Sequence, residues 1–344
     1  MTAGQPESTR AAPADGAAVE AAAQALARGE LVAFPTETVY GLGARADSDE
    51  AVARIFAAKG RPAEHPLIVH VASIEAAREF AAAWPAAAQT LARAFWPGPL
   101  TLIVSRRPQV AAAAAGGQPT IGLRMPAHPV ALALLRAAAQ RGVAGVAGPS
   151  ANRFGRVSPT CAEHVRAEFG PQLHLLDGGA CAVGIESAIV DCTREPPALL
   201  RPGQLERRRI EAALGAPLGM PAVDSPRASG TLEAHYAPSA SVLLLDGPDL
   251  AARTAQPPAQ ADRGVGVYSR RVPAAGWLHR PMPGDPDAAA QELFAALRWF
   301  DQAAARVIWV ERVPATAAWE GIRDRLQRAA AAHTEPDLDP PPRP

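Results

Sequence analysis

The amino-acid sequence predicts an α/β protein with two domains, the second smaller and Rossmann-like. Between about Asp15 and Gly215, short apolar runs typical of strands alternate with Ala-rich stretches typical of helices. A Pro/Gly/Ser-rich segment interrupts this pattern, and a second alternating region follows it. The length of 344 residues agrees, because chains beyond about 250 to 300 residues usually divide into two domains.

In the first domain, the strand-like runs in chain order are LVAFP, PLIVHV, LTLIV, TIGLRM, GVAGVA, HLLD and SAIVD. One helix has clear boundaries. Asp47 is the expected N-cap, with Glu50 three residues later, and the helix is expected to end at Lys59 and Gly60. Lys59 is therefore predicted to lie at a helix C-terminus.

The second domain is predicted from five segments, namely SVLLLD, GVGVYS, DAAAQELFAALRWFDQAAA, RVIWVER and WEGIRDRLQRAAAA. In this order they are predicted as a strand, a strand, a helix, a strand and a helix. No GxGxxG motif accompanies them, so no dinucleotide is assigned. The predicted organisation is a disordered N-terminus at 1–14, a first domain at 15–215, a linker at 216–238, a second domain at 239–334 and a Pro-rich tail at 335–344.

Composition excludes several classes of protein. With 34 basic and 34 acidic side chains there is no overall basic field to hold nucleic acid. No apolar run approaches the about 18 residues of a membrane helix, and the N-terminus does not resemble a secretion signal, so we expect a cytoplasmic protein without membrane contact. Three cysteines without a CxxC pair indicate neither a disulfide framework nor a metal site.

Two residue types are almost missing. The basic residues comprise 33 arginines and one lysine, Lys59, and the chain has a single asparagine, Asn152. A base bias towards Arg, Ala, Pro and Gly codons would remove both types, except where no substitute works. This pattern indicates functional roles for both residues, although Lys59 could simply complement a helix C-terminus and Asn152 could simply form a turn.

Polar turns follow several of the strand-like runs. PTETVYGLG, KGRPAEHPLIVHV and PSANRFGRVSPT place cations, hydroxyls and exposed backbone N–H groups together, a pattern typical of phosphate or ribose binding. Lys59 and Arg61 suit a polyphosphate, as a point charge and a forked guanidinium respectively. No nucleophile elbow, HExxH or P-loop is present. We therefore expect chemistry that depends on positioning and on neutralising phosphate charge.

The segments PTETVYGLG, KGRP with PLIVH, FWPGPLT, RMPAHP, PSAN, SPT, GIES and LLRPG, in this order, resemble the YrdC-like threonylcarbamoyl-AMP synthases. The linker ending in HYAP and the trailing unit are similar to the two-domain form of that family. The resemblance implies a YrdC-like twisted, open mixed sheet with helices, followed by the smaller Rossmann-like domain. Lys59 with Arg61, and Ser150 with Asn152, match the family's KxR and SxN signature.

The resemblance also implies an activity. L-threonine, bicarbonate or CO2 and ATP, with Mg2+, would give L-threonylcarbamoyladenylate and pyrophosphate. A downstream tRNA threonylcarbamoyl transferase complex would then modify the adenosine beside the anticodon. A weak contact of the chain with tRNA would also be compatible with the family.

Site residues are carried over by motif. On the threonine side the resemblance implies Thr38, His70, Arg124, Gly148 and Ser187. On the ATP side it implies Lys59, Arg61, His65, Thr120, Ser150, Asn152, Ser158, Arg201 and Tyr236, with Lys59 and Arg61 as the catalytic pair and no metal ligand from the protein.

Two positions depart from the family pattern. His65 stands where the family usually has Asn, and Tyr236 is either the ring over the site or a packing residue. The linker is expected to act as a flap over the active site. Two other functions compete with the synthase: a non-catalytic RNA-binding module, and a carbamoyl transferase of the hydrogenase-maturation type, which would need acylphosphatase-like and Cys-rich zinc segments that this chain lacks.

Overall fold

The computed structural model describes residues 15–232 and 234–332. The N-terminus predicted at 1–14 and the tail predicted at 335–344 lie outside the described residues. The chain forms two units. The first contains the described residues as far as Phe154 together with Ser158–Thr231, and the second contains Gly155–Val157 and the described residues from Leu232 onward. The division after Thr231 falls within the segment predicted as a linker.

The helices of the first unit are α1 (Gly16–Ala27), α2 (Asp49–Lys59), α3 (Ile74–Phe80), α4 (Ala86–Phe95), α5 (Pro129–Ala139), α6 (Ala162–Phe169) and α7 (Arg207–Leu214). Its strands are β1 (Val32–Phe34), β2 (Gly41–Arg45), β3 (Ile68–His70), β4 (Leu100–Ser105), β5 (Thr120–Arg124), β6 (Val146–Ala147), β7 (His174–Leu175), β8 (Ala188–Asp191) and β9 (Ala198–Arg201). They form one mixed sheet in the order β7-β1-β2-β6-β3-β5-β4-β8-β9.

The middle of this sheet has one face buried in the main core. Leu102 and Val104 of β4, Ile121 and Leu123 of β5, and Val190 of β8 belong to a single apolar cluster. Because side chains alternate along a strand, the residues between them lie on the opposite face. That opposite face carries Thr120 and Arg124 of β5 and His70 of β3, three of the residues singled out by the sequence.

The helix predicted to begin at Asp47 begins one residue later than expected. Ser48 is the N-cap, and its hydroxyl accepts a hydrogen bond from the backbone N–H of Ala51 at 3.2 Å. Asp47 is unavailable as a cap because its carboxylate pairs with the Arg45 guanidinium at 2.7 and 2.8 Å. The predicted C-terminus is confirmed, with Lys59 as the last helical residue and Gly60 in the left-handed conformation at φ 63°.

Strand β2 was not predicted, because its GLGA sequence reads as a turn. Its glycines are needed for packing instead. A Cβ on Gly43 would lie 2.9 Å from both the Phe34 ring and Val146 Cγ1. The close antiparallel pairing of β1 with β2 therefore depends on glycine at this position.

The second unit contains β10 (Ser241–Leu245), α8 (Gly247–Arg253), β11 (Val265–Ser269), β12 (Leu278–Pro281), α9 (Pro286–Gln302), β13 (Val307–Glu311) and α10 (Glu320–Ala331). Its four strands are all parallel, in the order β10-β13-β11-β12. This is the expected Rossmann-like arrangement. The sequence LHRP of β12 has too few apolar residues to be read as a strand, and it is held only at the sheet edge by β11.

Within the described residues, no helix is long and apolar enough to cross a membrane.

Candidate active site

Strand register places predicted site residues at two ends of one sheet face. Thr120, Gly122 and Arg124 alternate along β5 and so share the face opposite the main core. His70 pairs directly with Arg124, so the two lie at the same end of the sheet. Thr120 lies at the other end, opposite Ser105 of β4. Gly122, between them, presents no side chain to this face.

The Arg124 end is built around a buried ion pair. Arg124 Nη2 lies 2.7 Å from Glu37 Oε1, and both side chains are almost fully buried. The second oxygen, Glu37 Oε2, accepts a hydrogen bond from the backbone N–H of Ala127 at 3.0 Å, and Arg124 Nε donates to the Gly98 carbonyl at 3.3 Å. Glu37 therefore fixes the guanidinium plane. Glu37 was not among the residues predicted from the sequence, although it lies inside the PTETV motif.

His70 is neutral at this end of the site. Burial, followed by the charge of Arg124, lowers the pKa of His70 to about 3. A neutral imidazole beside a guanidinium adds a polar contact without adding positive charge. The geometry thus offers one cation for a carboxylate and one uncharged hydrogen-bonding ring next to it.

Gly148 lies against the His70 ring, and Thr38 is held within its own turn. A Cβ on Gly148 would lie 3.0 Å from His70 Nδ1 and 3.1 Å from the Phe34 ring, so only glycine leaves the imidazole in place. The backbone N–H of Gly148 donates to the Ile68 carbonyl at 2.9 Å. Thr38 is fully buried, and its hydroxyl shares a hydrogen bond of 2.8 Å with the hydroxyl of Thr36.

Ser187 and Arg201 form one cluster, although the sequence assigned them to different substrates. The Ser187 hydroxyl shares a hydrogen bond of 2.8 Å with Thr101. Arg201 donates to the Ser187 carbonyl at 3.1 Å and to its hydroxyl at 3.2 Å. A third contact joins Arg201 Nη1 to the carbonyl of Ser229 at 2.7 Å. Arg201 thereby ties the segment before the second unit to the sheet of the first.

Lys59 is buried at the end of α2 and contacts the PSAN turn. Its Nζ donates to the carbonyl oxygens of Ser150 at 2.6 Å and Asn152 at 2.5 Å. The turn is also tied to the helix by Phe154 N–H, which donates to the Lys59 carbonyl at 2.8 Å. Burial, with a further contribution from Arg61, holds the pKa of Lys59 well below its usual value. The KxR and SxN motifs are therefore in direct contact.

Arg61 and His65 flank the ring of Phe154. The Arg61 guanidinium carbon lies 5.7 Å from the centre of that ring, and the His65 ring meets it edge-on at 5.3 Å. Arg61 Nη2 also donates to the Pro66 carbonyl at 3.0 Å. Burial, followed by Arg61, lowers the pKa of His65, and the charge of Arg227 acts in the same direction. Positive charge is thus concentrated around His65.

Ser158 is fully buried and contacts a carboxylate that the sequence analysis did not select. Its hydroxyl donates to Glu186 Oε1 at 2.5 Å. Because the hydroxyl has a single proton, this leaves Ser158 Oγ as an acceptor towards any ligand. Glu186 directly precedes Ser187 in the GIES motif, which is the signal that could have identified it.

Tyr236 belongs to the second unit and packs there. Its ring lies 4.1 Å from the ring centre of His235 and 5.4 Å from that of Phe294, with the Arg325 guanidinium 5.4 Å over its face. The residue has a φ of 62°, in the left-handed region that bulky side chains rarely adopt. Its role at the nucleotide stays a prediction.

The segment from 224 to 229 is held against the rest of the first unit by side chains from separate strands and loops. Gln118 exchanges two hydrogen bonds with the backbone of Arg227, at 2.9 and 3.1 Å. Arg194 donates to the Ser225 hydroxyl at 2.9 Å. With the Arg201 contact to Ser229, these bonds fix the part of the predicted flap that belongs to the first unit.

Among the described residues, no three His, Cys, Asp or Glu side chains lie close enough together to hold a metal ion. The positions of the charged side chains give the site one end suited to a carboxylate, around Arg124, and a cationic end around Arg61 and His65.

Comparisons with known proteins found two family models and several relatives that match this chain. The Sua5/YciO/YrdC family model, described as "Telomere recombination", matches residues 24–203, and a model described as "Threonylcarbamoyl-AMP synthase, C-terminal domain" matches residues 205–331. The chain is 40% identical over 328 residues to a threonylcarbamoyl-AMP synthase of Pyrococcus abyssi, covering 91% of this chain and 94% of the relative. It is 38% identical to one of Bacillus subtilis, covering 90% and 92% respectively.

A solved structure is also similar over most of its length. The crystal structure of P. abyssi Sua5 complexed with L-threonine superimposes with a TM-score of 0.83 at 38% identity, covering 92% of this chain and 95% of the other.

Proposed function

The chain belongs to the threonylcarbamoyl-AMP synthase family, and from this membership we propose that it condenses L-threonine, bicarbonate or CO2 and ATP to L-threonylcarbamoyladenylate and pyrophosphate. In reaction class this is a nucleotidyl transfer, since an adenylyl group moves from pyrophosphate to a carbamate oxygen. The product would serve N6-threonylcarbamoyladenosine formation in tRNA, in the cytoplasm, through a downstream transferase complex.

The observation that carries the proposal is the buried ion pair of Arg124 and Glu37 beside neutral His70. Glu37 and the Ala127 N–H orient the guanidinium, leaving its other N–H groups for the α-carboxylate of threonine. The related P. abyssi protein was solved with L-threonine. Gly148 lies against His70 at this end of the face. In this proposal the hydroxyls of Thr38 and Ser187 would supply partners for the polar side chain of threonine.

The cationic end would bind the triphosphate. Arg61 presents a guanidinium already aligned by Phe154 and by the Pro66 carbonyl. The structure supports a different contribution from Lys59, whose ammonium holds the Ser150 and Asn152 carbonyls and so shapes the turn that faces the nucleotide. In this proposal Arg61 neutralises phosphate charge, and Lys59 sets the position of the SxN turn.

The chemistry would depend on positioning. The neutral threonine amine adds to CO2 and loses a proton to water, which gives a carbamate. The carbamate oxygen then attacks the α-phosphorus, and the bond to the bridging oxygen breaks in line to release pyrophosphate. Charge accumulates on the departing pyrophosphate, which preorganised cations stabilise. Mg2+ would enter bound to the phosphates of ATP, as part of the substrate.

Pyrophosphate release from ATP with Mg2+ tests the proposal. The purified protein is assayed with L-threonine and bicarbonate together, with each omitted singly, and with L-serine in place of threonine. Release that requires both substrates supports the synthase. Release independent of threonine, or no release combined with salt-sensitive RNA binding, would contradict it.

A further inference from the structure

Strand β10 forms one edge of the parallel sheet of the second unit. It stands at the end of the strand order, so only β13 pairs with it among the strands that the structure describes. The Ser241 N–H donates to the Arg306 carbonyl at 2.9 Å, and the Arg312 N–H donates to the Leu245 carbonyl at 2.8 Å. In such a ladder alternate residues bond to the same neighbour. The odd-numbered residues of β10 therefore bond to β13, and the even-numbered residues face outward.

Val242 and Leu244 are the two residues whose backbone groups face outward. Each presents one N–H and one C=O, and within residues 15–232 and 234–332 no hydrogen-bond partner reaches these groups. A row of unpaired backbone groups at a sheet edge is a template on which another strand can pair.

The two edges of this sheet differ in composition. Edge strand β12 has the sequence LHRP, in which Arg280 and Pro281 oppose the addition of a further strand. Edge strand β10 has the sequence SVLLL, with no charge and no proline, and Leu243 is 44% exposed. Only one edge thus carries the features by which sheets prevent pairing. The β10 edge is suited to accept a strand.

A small cavity of about 60 Å³ lies beside the end of β10. Its apolar part comes from one residue each of β10, of the turn after β13 and of α10. The lining consists of Leu244, Arg312, Val313, Arg323, Leu326 and Gln327. A space of this size holds about four heavy atoms, since one water needs about 10 to 15 Å³. It therefore suits a single small aliphatic side chain.

Two cations line the same cavity. Arg312 Nε lies 3.3 Å from Asp246 Oδ1, and both side chains are exposed. Arg323 donates to the Pro314 carbonyl at 3.0 Å. No ion pair of the described residues includes Arg323, because the neighbouring Asp324 pairs with other arginines of α10. The charge around the cavity therefore favours carboxylates in whatever binds there.

Pairing at the edge and filling of the cavity are compatible with one occupant. Peptides that add a strand to a sheet gain affinity from main-chain hydrogen bonds and specificity from pockets that take alternate side chains. Side chains two residues apart lie about 7 Å apart on the same face. An aliphatic side chain in the cavity would thus have, on either side of it, residues placed near the two arginines.

We propose that the β10 edge binds an extended segment of a partner protein as a fifth strand of this sheet. An aliphatic residue of the segment enters the cavity, and acidic residues two positions before and after it contact Arg312 and Arg323. The interaction does not depend on the proposed function, and its tests contain no nucleotide or threonine.

Fluorescence anisotropy of the labelled peptide Thr-Glu-Thr-Val-Thr-Glu-Thr, titrated with the full chain, tests this surface. The peptide places valine and both glutamates on one face. A version with lysine in place of both glutamates should bind about tenfold more weakly, because two exposed ion pairs are replaced by repulsion. A version with N-methyl groups on its three central amides should not bind, because these amides cannot donate.

Two results of this titration would overturn the proposal. One is equal affinity of the acidic peptide and either altered peptide. The other is no binding of the acidic peptide at up to about 1 mM protein, a concentration that detects a binding free energy of about −4 kcal/mol.

Arg323→Glu tests the charge of the cavity. This variant should reverse the preference, so that the lysine peptide binds more tightly than the acidic one. Such a reversal is not expected from a merely structural change. Arg271→Glu is the matched control, because Arg271 is an exposed arginine of the same unit outside the cavity lining. An unchanged preference in Arg323→Glu would contradict the assignment.

Leu244→Pro tests the strand edge. Proline removes an outward N–H and no hydrogen bond to β13, so the sheet can keep its pairing. Binding of the acidic peptide should be lost, and unchanged affinity would contradict the proposal. Sedimentation of the wild-type chain without peptide tests a second copy as the occupant. A dimer that Leu244→Pro abolishes would make this edge a self-association surface and overturn the assignment to a partner protein.

Discussion

The ammonium of Lys59 lies 2.6 Å from the carbonyl oxygen of Ser150, so the one lysine of the chain contacts backbone of the motif that binds the nucleotide in our proposal. A second carbonyl, from Asn152, accepts from the same nitrogen. Both nearly missing residue types thus meet at one point of the fold. This contact gives a physical reason why an arginine, whose donors form a rigid fork, does not occupy the position.

Replacing Lys59 tests that role. Lys59→Arg should reduce pyrophosphate release by about 100-fold or more, because the larger guanidinium displaces the turn. Lys59→Met should remove the donor to the Ser150 and Asn152 carbonyls and destabilise the fold by about 1 to 3 kcal/mol. Steady-state kinetics and denaturant unfolding measure the two effects. Arg54→Lys, in an exposed pair on the same helix, is the control, and near wild-type turnover of Lys59→Arg would show that the contact is dispensable.

Glu37→Gln should uncouple Arg124 from its counter-ion. Removal of one partner of a buried pair costs about 3 to 5 kcal/mol, so the melting temperature should fall. Threonine would restore a carboxylate beside Arg124. The rise in melting temperature caused by threonine should therefore be larger in Glu37→Gln than in the wild type. A smaller rise, measured by calorimetry, would mean that Glu37 is part of the threonine contact and not only a support for Arg124.

Gly148→Ala should weaken threonine binding with little effect on ATP. The added Cβ would lie 3.0 Å from His70 Nδ1, which must shift. We expect the KM for threonine to rise about tenfold or more, while the KM for ATP changes less than threefold. Gly16→Ala is the control, because a Cβ there meets nothing within 4 Å. Equal increases in both KM values would indicate a general distortion.

The pH dependence of stability should report on His70. Its pKa is about 3 in the folded protein, against 6.5 for an ordinary histidine. Between these values the unfolded chain binds the proton and the folded one does not, so the free energy of unfolding falls as pH drops. His70 contributes up to about 1.4 kcal/mol per pH unit. Urea unfolding at pH 7 and pH 5 should show that the free energy of unfolding depends less on pH in His70→Gln than in the wild type. The same pH dependence in both proteins would place His70 in a more polar environment.

Truncation should show how much of the linker belongs to the first unit. A chain ending after Thr231 keeps the contacts of Gln118, Arg194 and Arg201 with the 224–229 segment, whereas a chain ending after Gly215 loses them. We expect the longer form to melt at the higher temperature and to bind ATP more tightly. Fluorescence melting and ATP titration of both forms make the comparison, and indistinguishable behaviour would remove the segment from the nucleotide site.

Individual elements and residues show which features could be predicted from the sequence and which could not. The alternation of apolar runs predicted most strands, and capping residues gave the end of α2 correctly and its start within one position. Strand β2 was missed because a glycine pair reads as a turn, whereas here it allows Phe34 to pack closely. Glu37 and Glu186 were missed although they lie inside the PTETV and GIES motifs, because the local pattern does not show that these carboxylates are buried against Arg124 and Ser158.

The sequence by itself determined the α/β class and the family resemblance, and it singled out Lys59 and Asn152 for prediction, because motif order and composition are properties of the chain alone. Tertiary structure decided which atoms meet. Arg124 and Glu37 are 87 positions apart, and Lys59 and Ser150 are 91 apart. Their contacts depend on strand register, which sets the residues that lie opposite each other, and on burial, which excludes water and strengthens a pairing. Register and burial arise only when distant segments pack together.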